Sequence, residues 1–149
     1  RSRRQRQMCI RDRSMAGCEV VFGTKKPALS YKLLNEDGLV ENEAHEMKLD
    51  ESKVTVTEDF FDKDAYIFEN SGCREVSIQA DGKVAVTVTF DAPVFGLWSP
   101  VGKKVPFICI EPWYGRADAA DFDGNLQKRA WQNELEPGKI FEKAYTIAF

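Results

Sequence analysis

Residues 105–118 read VPFICIEPWYGRAD, and this stretch decides how the fold of the chain is interpreted. Val105–Ile110 is an apolar run rich in β-branched residues, with Gly102 before it and Pro112 after it. A short apolar run between turn residues is typical of a buried strand. Because nearly every position of the run is apolar, we expect a central strand that is covered on both faces.

One carboxylate, Glu111, stands where this run stops, and Trp113 and Tyr114 follow it closely. Acidic side chains are rarely fully buried without a partner. Glu111 is therefore either held in a structural ion pair, with Arg116 or Lys103, or placed there for chemistry. The residues alone leave both interpretations open.

The rest of the chain alternates between short strand-like segments and turns. The clearest signal is a hairpin, in which Glu75–Ala80 and Lys83–Phe90 alternate on either side of the Asp81-Gly82 turn. Leu126–Trp131 allows one or two helical turns, and no longer helix is indicated. Strands at short spacing with frequent turns predict an all-β chain of antiparallel strands, as in a β-sandwich.

Composition excludes several classes of protein. With 149 residues and 43% hydrophobic content, one domain with an apolar core is expected. No apolar run approaches the roughly 18 residues needed to cross a membrane. No glycine-rich phosphate loop or cluster of histidines and cysteines is present, so we expect neither a cofactor nor a metal site. The four cysteines have no paired spacing and fit the reduced thiols of a cytoplasmic protein. The single histidine, His45, is expected to be solvated and to carry no chemistry.

The N-terminal residues 1–14 differ from the rest in charge. They hold six arginines and one aspartate, whereas the remaining residues hold 15 basic and 23 acidic groups. A basic head on an acidic body could be a nucleic-acid arm or a targeting peptide. RSRRQRQMCIRDRS more closely resembles the translation of sequencing-adapter DNA. We therefore expect residues 1–14 to pack against nothing, the native domain to occupy residues 15–149, and no nucleic-acid partner.

The motif stretch also carries a family resemblance. FICIEPWYGRAD, together with GLWSP at residues 96–100 and LEPGKIFEKAYTIAF at residues 135–149, resembles the C-terminal part of the aldose 1-epimerase (galactose mutarotase-like) family. The resemblance covers roughly Gly17–Phe149, and the family domain is about twice as long as this chain. It implies a galactose mutarotase-like β-sandwich (supersandwich), of which this chain would be the second half.

The resemblance implies an isomerase that interconverts the α and β anomers of an aldose, either free or phosphorylated. The family's base is a glutamate, which corresponds here to Glu111, and a sugar-binding aspartate corresponds to Asp64. Trp98 and Trp113 would contact the sugar, since the C–H face of a pyranose stacks on a flat apolar surface. Asp64 is equally well explained as a turn residue. For Trp98 the alternative is a position in the core, which is the more common place for a lone tryptophan. We expect Asp64, Trp98 and Glu111 to converge on one concave surface.

Two further expectations concern function. The family's acid is a histidine, helped by a second histidine and an arginine, and these lie in the N-terminal half; His45 matches neither histidine motif. The chain alone is therefore predicted to be inactive. A non-catalytic carbohydrate-binding module could use Trp98, Trp113 and Tyr114 without a base, and a structural or regulatory domain would need none of them.

Overall fold

The computed structural model describes residues 15–102 and 105–149. The prediction that residues 1–14 pack against nothing, and the proposed Lys103 ion pair, lie outside the described residues. Within them, ten strands and one 3-10 turn, Leu126–Lys128, follow one another along the chain. In order, the strands are Glu19–Phe22 (β1), Ala28–Tyr31 (β2), His45–Lys48 (β3), Lys53–Thr55 (β4), Tyr66–Glu69 (β5), Glu75–Ala80 (β6), Lys83–Phe90 (β7), Val94–Trp98 (β8), Cys109–Trp113 (β9) and Tyr145–Ala148 (β10).

The strands form three antiparallel sheets. A five-stranded sheet has the order β10-β7-β6-β1-β4, a three-stranded sheet has the order β5-β8-β9, and β2 pairs with β3. All the pairings between these strands are antiparallel. The prediction of an all-β antiparallel chain with at most short helical turns is confirmed.

The predicted hairpin is also confirmed. Strands β6 and β7 pair from Glu75↔Thr89 to Ala80↔Lys83, and Asp81 and Gly82 connect them with φ values of 51° and 71°. Two successive positive φ values match the right-handed twist of a two-residue hairpin. The register shifts between Ile78 and Gln79, so that the hairpin contains a β-bulge.

The core lies between the five-stranded and three-stranded sheets. Phe22 from β1 and Phe90 from β7 contact Phe95 from β8, with ring centroids 6.4 and 5.4 Å apart. Phe68 from β5 stacks on Phe95 at 4.6 Å, with the two ring planes 13° apart. Both sheets therefore bury side chains in one apolar cluster, which is the arrangement of a sandwich.

The prediction that Val105–Ile110 forms a central, two-sided strand is wrong. The strand in this region is β9, which starts at Cys109, pairs with β8 alone among the described strands, and is half-buried throughout. Pro106 interrupts the apolar run and cannot donate to a ladder, which disfavours an earlier start. Pro112, expected to end the strand, lies inside it, because a proline is tolerated on the open side of an edge strand.

The expectation that His45 is solvated is also wrong. His45 begins β3, is partly buried, and lies 5.4 Å from the ring of Tyr31 on β2. Its Nε2 atom is buried without a hydrogen-bond partner. His45 therefore packs as an aromatic side chain in the small sheet.

We predict that Tyr66→Phe lowers stability at neutral pH by about 1 kcal/mol, because the Tyr66 hydroxyl donates to the carbonyl of Phe60. Burial raises the pKa of Tyr66 to about 12, from an ordinary value of 10.0. The unfolded chain thus loses this proton at lower pH than the folded chain, so the stabilisation is lost as pH rises through that range. Urea denaturation at several alkaline pH values should show that the free energy of unfolding declines less steeply with pH in the variant than in the parent chain. An equally steep decline in both would contradict this assignment.

Candidate functional site

The register of the three-stranded sheet places the candidate residues on one face. Trp98 pairs with Cys109, Gly96 with Glu111, and Val94 with Trp113. Residues directly opposite one another in an antiparallel pair share a face, and so do alternate residues along each strand. The side chains of Trp98, Glu111 and Trp113 therefore project from the same face, while Phe95 and Leu97 project into the core.

Glu111 is engaged by the neighbouring tryptophan on this face. The indole Nε1 of Trp113 donates to Oε2 of Glu111 over 3.2 Å. Gly96 makes room for the indole, since a Cβ at position 96 would lie 2.7 Å from its Cζ2 atom. The Trp113 ring thus lies against bare backbone of β8, and its N–H fixes one oxygen of the carboxylate.

Arg116, one of the two partners considered for Glu111, pairs with Glu69 instead. The Arg116 side chain is only 3% exposed, and its Nε donates to Oε1 of Glu69. Trp131 Nε1 donates to the same oxygen over 3.0 Å, and Lys32 Nζ lies 3.5 Å from Oε2. Glu69 is therefore the partner that the buried charge of Arg116 requires, and Glu111 lies outside this network.

The network around Glu69 holds the segment after β9 in place. Nε of Arg129 lies 2.5 Å from Asp118 Oδ1, and its Nη2 donates to the carbonyl of Arg116 over 3.0 Å. Trp131 packs beside Val40 in a small apolar cluster on the Glu111 face of the sheet. This segment therefore forms a border of the candidate site.

Trp98 and Asp64 occupy positions at strand ends. Trp98 is the last residue of β8, is partly buried, and contacts the ring of Phe107 at 6.4 Å. It is not among the buried core residues. Asp64 precedes β5, has a φ of 66°, and donates its backbone N–H to the carbonyl of Phe61 over 3.1 Å. Those features fit a turn residue, and the sugar-binding role of Asp64 stays a prediction.

A cleft of about 320 Å³ lies beside Glu111, where β9 approaches β7 and β10. Glu111 is the one acidic residue in its lining, which is otherwise apolar apart from Cys109 and Tyr145. The pairing of β8 with β9 turns the Glu111 side chain toward the outer face of the sheet. The other lining residues are Val86, Val88, Phe107, Ile108, Ile110, Pro112, Trp113 and Ile147. Trp98 and Asp64 do not line it, so their convergence with Glu111 in one concave surface stays a prediction.

Within residues 15–102 and 105–149, no group of three or more His, Cys, Asp or Glu side chains is arranged to hold a metal ion. Over the same residues, no helix has both the length and the apolar character needed to cross a membrane.

We predict that Gly96→Ala displaces the Trp113 indole from Glu111 and lowers stability by about 1–3 kcal/mol, because the new methyl group overlaps the ring. The indole N–H resonance of Trp113 should move on substitution. A double-mutant cycle with Trp113→Leu provides the control, since contacting residues are not additive. If Gly96→Ala lowers the free energy of unfolding as much in the Trp113→Leu variant as in the parent chain, the contact with Gly96 does not hold the Trp113 ring in place.

Comparisons with known proteins identify the fold. No protein-family model and no curated protein matches the chain. Among solved structures, a galactose mutarotase related enzyme from Lactobacillus acidophilus matches 95% of the chain, with a TM-score of 0.79 and 28% identity. A galactose mutarotase-like protein from Lactobacillus casei matches 88%, with a TM-score of 0.70 and 18% identity.

The chain spans about half the length of both structures, 48% of the first and 44% of the second. Its fold is a galactose mutarotase-like β-sandwich, as predicted, with antiparallel strands in every sheet.

Proposed function

We propose that this chain carries the part of an aldose 1-epimerase that binds the sugar and supplies the catalytic base. The observation that carries the proposal is the placement of Glu111, with its carboxylate held by Trp113 and with Trp98 on the same face of the sheet. The likeness in fold to a galactose mutarotase related enzyme supports the same reaction class. The substrate class is an aldose monosaccharide.

The reaction requires two proton transfers. A base removes the proton of the anomeric hydroxyl while an acid protonates the ring oxygen, and the ring opens. Rotation about the C1–C2 bond followed by closure gives the other anomer. Each general acid or base contributes roughly 10²–10⁴-fold to the rate.

Glu111 suits the role of base for geometric reasons. An ionised carboxylate is an acceptor with two oxygens, and the Trp113 N–H occupies Oε2. That hydrogen bond limits rotation of the carboxylate and leaves Oε1 to receive the proton. Because the Arg116 cation is paired with Glu69, it does not compete for the carboxylate of Glu111.

The aromatic side chains give the sugar a platform. Trp98 and Trp113 project from the face that carries Glu111, and each ring can cover the C–H face of a pyranose. Asp64, two residues before β5, would accept hydrogen bonds from sugar hydroxyls. The residues of this chain then orient the sugar and take one proton.

The acid has to come from outside the candidate site. His45, the one histidine of the chain, lies in the β2–β3 sheet and packs on Tyr31. Without an acid, protonation of the ring oxygen is left to water, which forfeits roughly 10²–10⁴-fold. The arginine and histidines that the family resemblance places in the other half would also orient the sugar, and lost orientation costs more.

We therefore predict that the chain alone does not accelerate mutarotation. Polarimetry on freshly dissolved α-galactose or α-glucose should give the rate of buffer. A rate above buffer that disappears in Glu111→Gln would show that the site in this chain is complete.

Weak sugar binding should still be measurable by NMR, with shifts centred on the indole N–H groups of Trp98 and Trp113. Glu111→Gln should leave most of this affinity, because stacking supplies it. This chain can also be fused to the part of the L. acidophilus enzyme that it does not match. If that fusion binds sugar but shows no mutarotation that depends on Glu111, the alternative of a non-catalytic carbohydrate-binding module is favoured. Absence of binding at Trp98 and Trp113 would contradict both.

A further inference from the structure

One carboxylate, that of Glu69, ties together three segments that lie far apart in the sequence. Its Oε1 accepts hydrogen bonds from Nε of Arg116 and from the indole Nε1 of Trp131, the latter over 3.0 Å. Its Oε2 lies 3.5 Å from Nζ of Lys32. The Lys32 backbone pairs with β5, Arg116 follows β9, and Trp131 lies beyond the 3-10 turn. A change at position 69 therefore acts on all three segments.

Glu69 lies on the face of the sheet that carries the Glu111 site. In the three-stranded sheet Glu69 pairs with Val94, and Val94 pairs with Trp113. Directly opposite residues in antiparallel strands share a face, so these three side chains form one row across β5, β8 and β9. Trp113, at the end of this row, is the residue whose N–H reaches Glu111. Val94 alone separates Glu69 from Trp113 in the row.

The backbone of Trp131 has a conformation that bulky residues rarely adopt. Its φ is 60°, and among the residues that the structure describes it is the one aromatic residue with a positive φ. Such a conformation persists only where the surrounding contacts determine it. Here those contacts are the bond to Glu69 and the packing beside Val40, in the apolar cluster that Trp113 also contacts. Glu69 therefore helps to fix Trp131 at a defined place.

The segment around Trp131 in turn contacts the backbone that follows Trp113. A Cβ at Gly115 would lie 3.2 Å from the carbonyl oxygen of Trp131, so the two backbones are close together. Two residues beyond Trp131, Nδ2 of Asn133 donates to the carbonyl of Tyr114 over 2.6 Å. The path of the chain immediately after Trp113 therefore depends on where Trp131 lies.

We propose that Glu69 is a positioning residue for the Glu111 site. Through Trp131, it holds the chain that follows β9. The Trp113 indole then stays against Gly96, and its N–H orients the carboxylate of Glu111. A binding site is only as precise as the residues that hold its side chains in place. The link to sugar binding rests on the proposed function, whereas the effect on the Trp113 ring does not.

Two variants weaken the network around Glu69 in different ways. Glu69→Gln removes the negative charge and leaves the buried Arg116 cation with a neutral acceptor. Trp131→Phe removes one N–H donor but keeps an aromatic ring and the ion pair, so it provides the answer if Glu69→Gln does not fold. The matched control is Glu19→Gln, because Glu19 forms an ion pair with Lys53 in the five-stranded sheet, with Nζ 2.8 Å from Oε1.

NMR spectroscopy of the full chain measures the position of the Trp113 ring. Nuclear Overhauser effects between its ring protons and the α protons of Gly96 report the contact between them directly. We expect these signals to weaken in Trp131→Phe and in Glu69→Gln, and to be unchanged in Glu19→Gln. Circular dichroism checks that each variant is folded.

A titration with galactose, followed at the indole N–H of Trp113, tests the effect on the sugar site. We expect the Kd to rise roughly threefold to tenfold in Trp131→Phe and in Glu69→Gln, which corresponds to about one lost hydrogen bond. Glu19→Gln should bind galactose as the parent chain does.

Three outcomes would overturn the proposal. They are unchanged signals between Trp113 and Gly96 in the folded variants, an equal loss of these signals in Glu19→Gln, and a lost contact that leaves the Kd for galactose unchanged. If galactose shifts no indole resonance even in the parent chain, the proposed function fails and Glu69 has no sugar site to position. The signals between Trp113 and Gly96 still show whether Glu69 holds the ring, so the two failures are distinguishable.

Discussion

Replacing Phe95 with alanine is expected to lower the free energy of unfolding by about 3–5 kcal/mol. Phe95 is 1% exposed and its ring contacts Phe22, Phe68 and Phe90, which come from both sheets. The substitution therefore leaves a cavity at the point where the sandwich is held together. Neighbouring rings on well-formed strands can collapse only partly into such a space.

The control for this variant is Phe149→Ala, at a residue that is 79% exposed. The same chemical change there should alter stability by about 0.5 kcal/mol or less. Urea denaturation of both variants gives the comparison. If Phe95→Ala lowers the free energy of unfolding no more than Phe149→Ala does, the contacts of Phe95 between the two sheets do not stabilise this fold.

Much of the fold follows from local signals in the sequence. The β6–β7 hairpin is specified by alternation on both strands and by a turn at Asp81-Gly82 that takes positive φ values. Strand order is a different matter, because it depends on pairings far apart in sequence. The apolar run Val105–Ile110 illustrates this, because its composition indicates burial. Only the sheet order shows that β9 lies at an edge, and only the packed structure shows that Phe107–Ile110 line a cleft.

The candidate site, too, could be predicted from the sequence only where its residues are close together in the chain. That Glu111 lies among aromatic residues follows from Trp113 and Tyr114 nearby in sequence. The role of Gly96 could not be predicted, because it depends on the register between β8 and β9. The pairing of Arg116 with Glu69 spans 47 residues and carries no local signature. The partial burial of His45 could not be predicted either, because the β2–β3 pairing brings its packing partner, Tyr31, beside it.

Under the proposed function, Glu111→Gln removes the base. We expect it to lower, by roughly 10²–10⁴-fold, the mutarotation rate of this chain fused to the part of the L. acidophilus enzyme that it does not match. Glutamine keeps the shape of the side chain and can still accept a hydrogen bond from Trp113, so the fold and the aromatic platform should be preserved. Its amide does not accept the anomeric proton. The variant should therefore lose rate with little change in sugar affinity.

Gly96→Ala in the same domain separates positioning from chemistry. This substitution keeps the Glu111 side chain but disturbs the Trp113 ring, whose N–H orients the carboxylate. We expect a smaller loss of rate than in Glu111→Gln, together with weaker sugar binding. Equal losses in the two variants would indicate a general disruption of the site.

The most direct test of the central claim is polarimetry of α-galactose and α-glucose with residues 15–149 fused to the part of the L. acidophilus enzyme that this chain does not match. The proposed role of Glu111 predicts mutarotation faster than buffer for the fusion and a loss of roughly 10²–10⁴-fold in Glu111→Gln. A folded fusion with no rate above buffer, or a rate that survives Glu111→Gln, would contradict the assignment of Glu111 as the base.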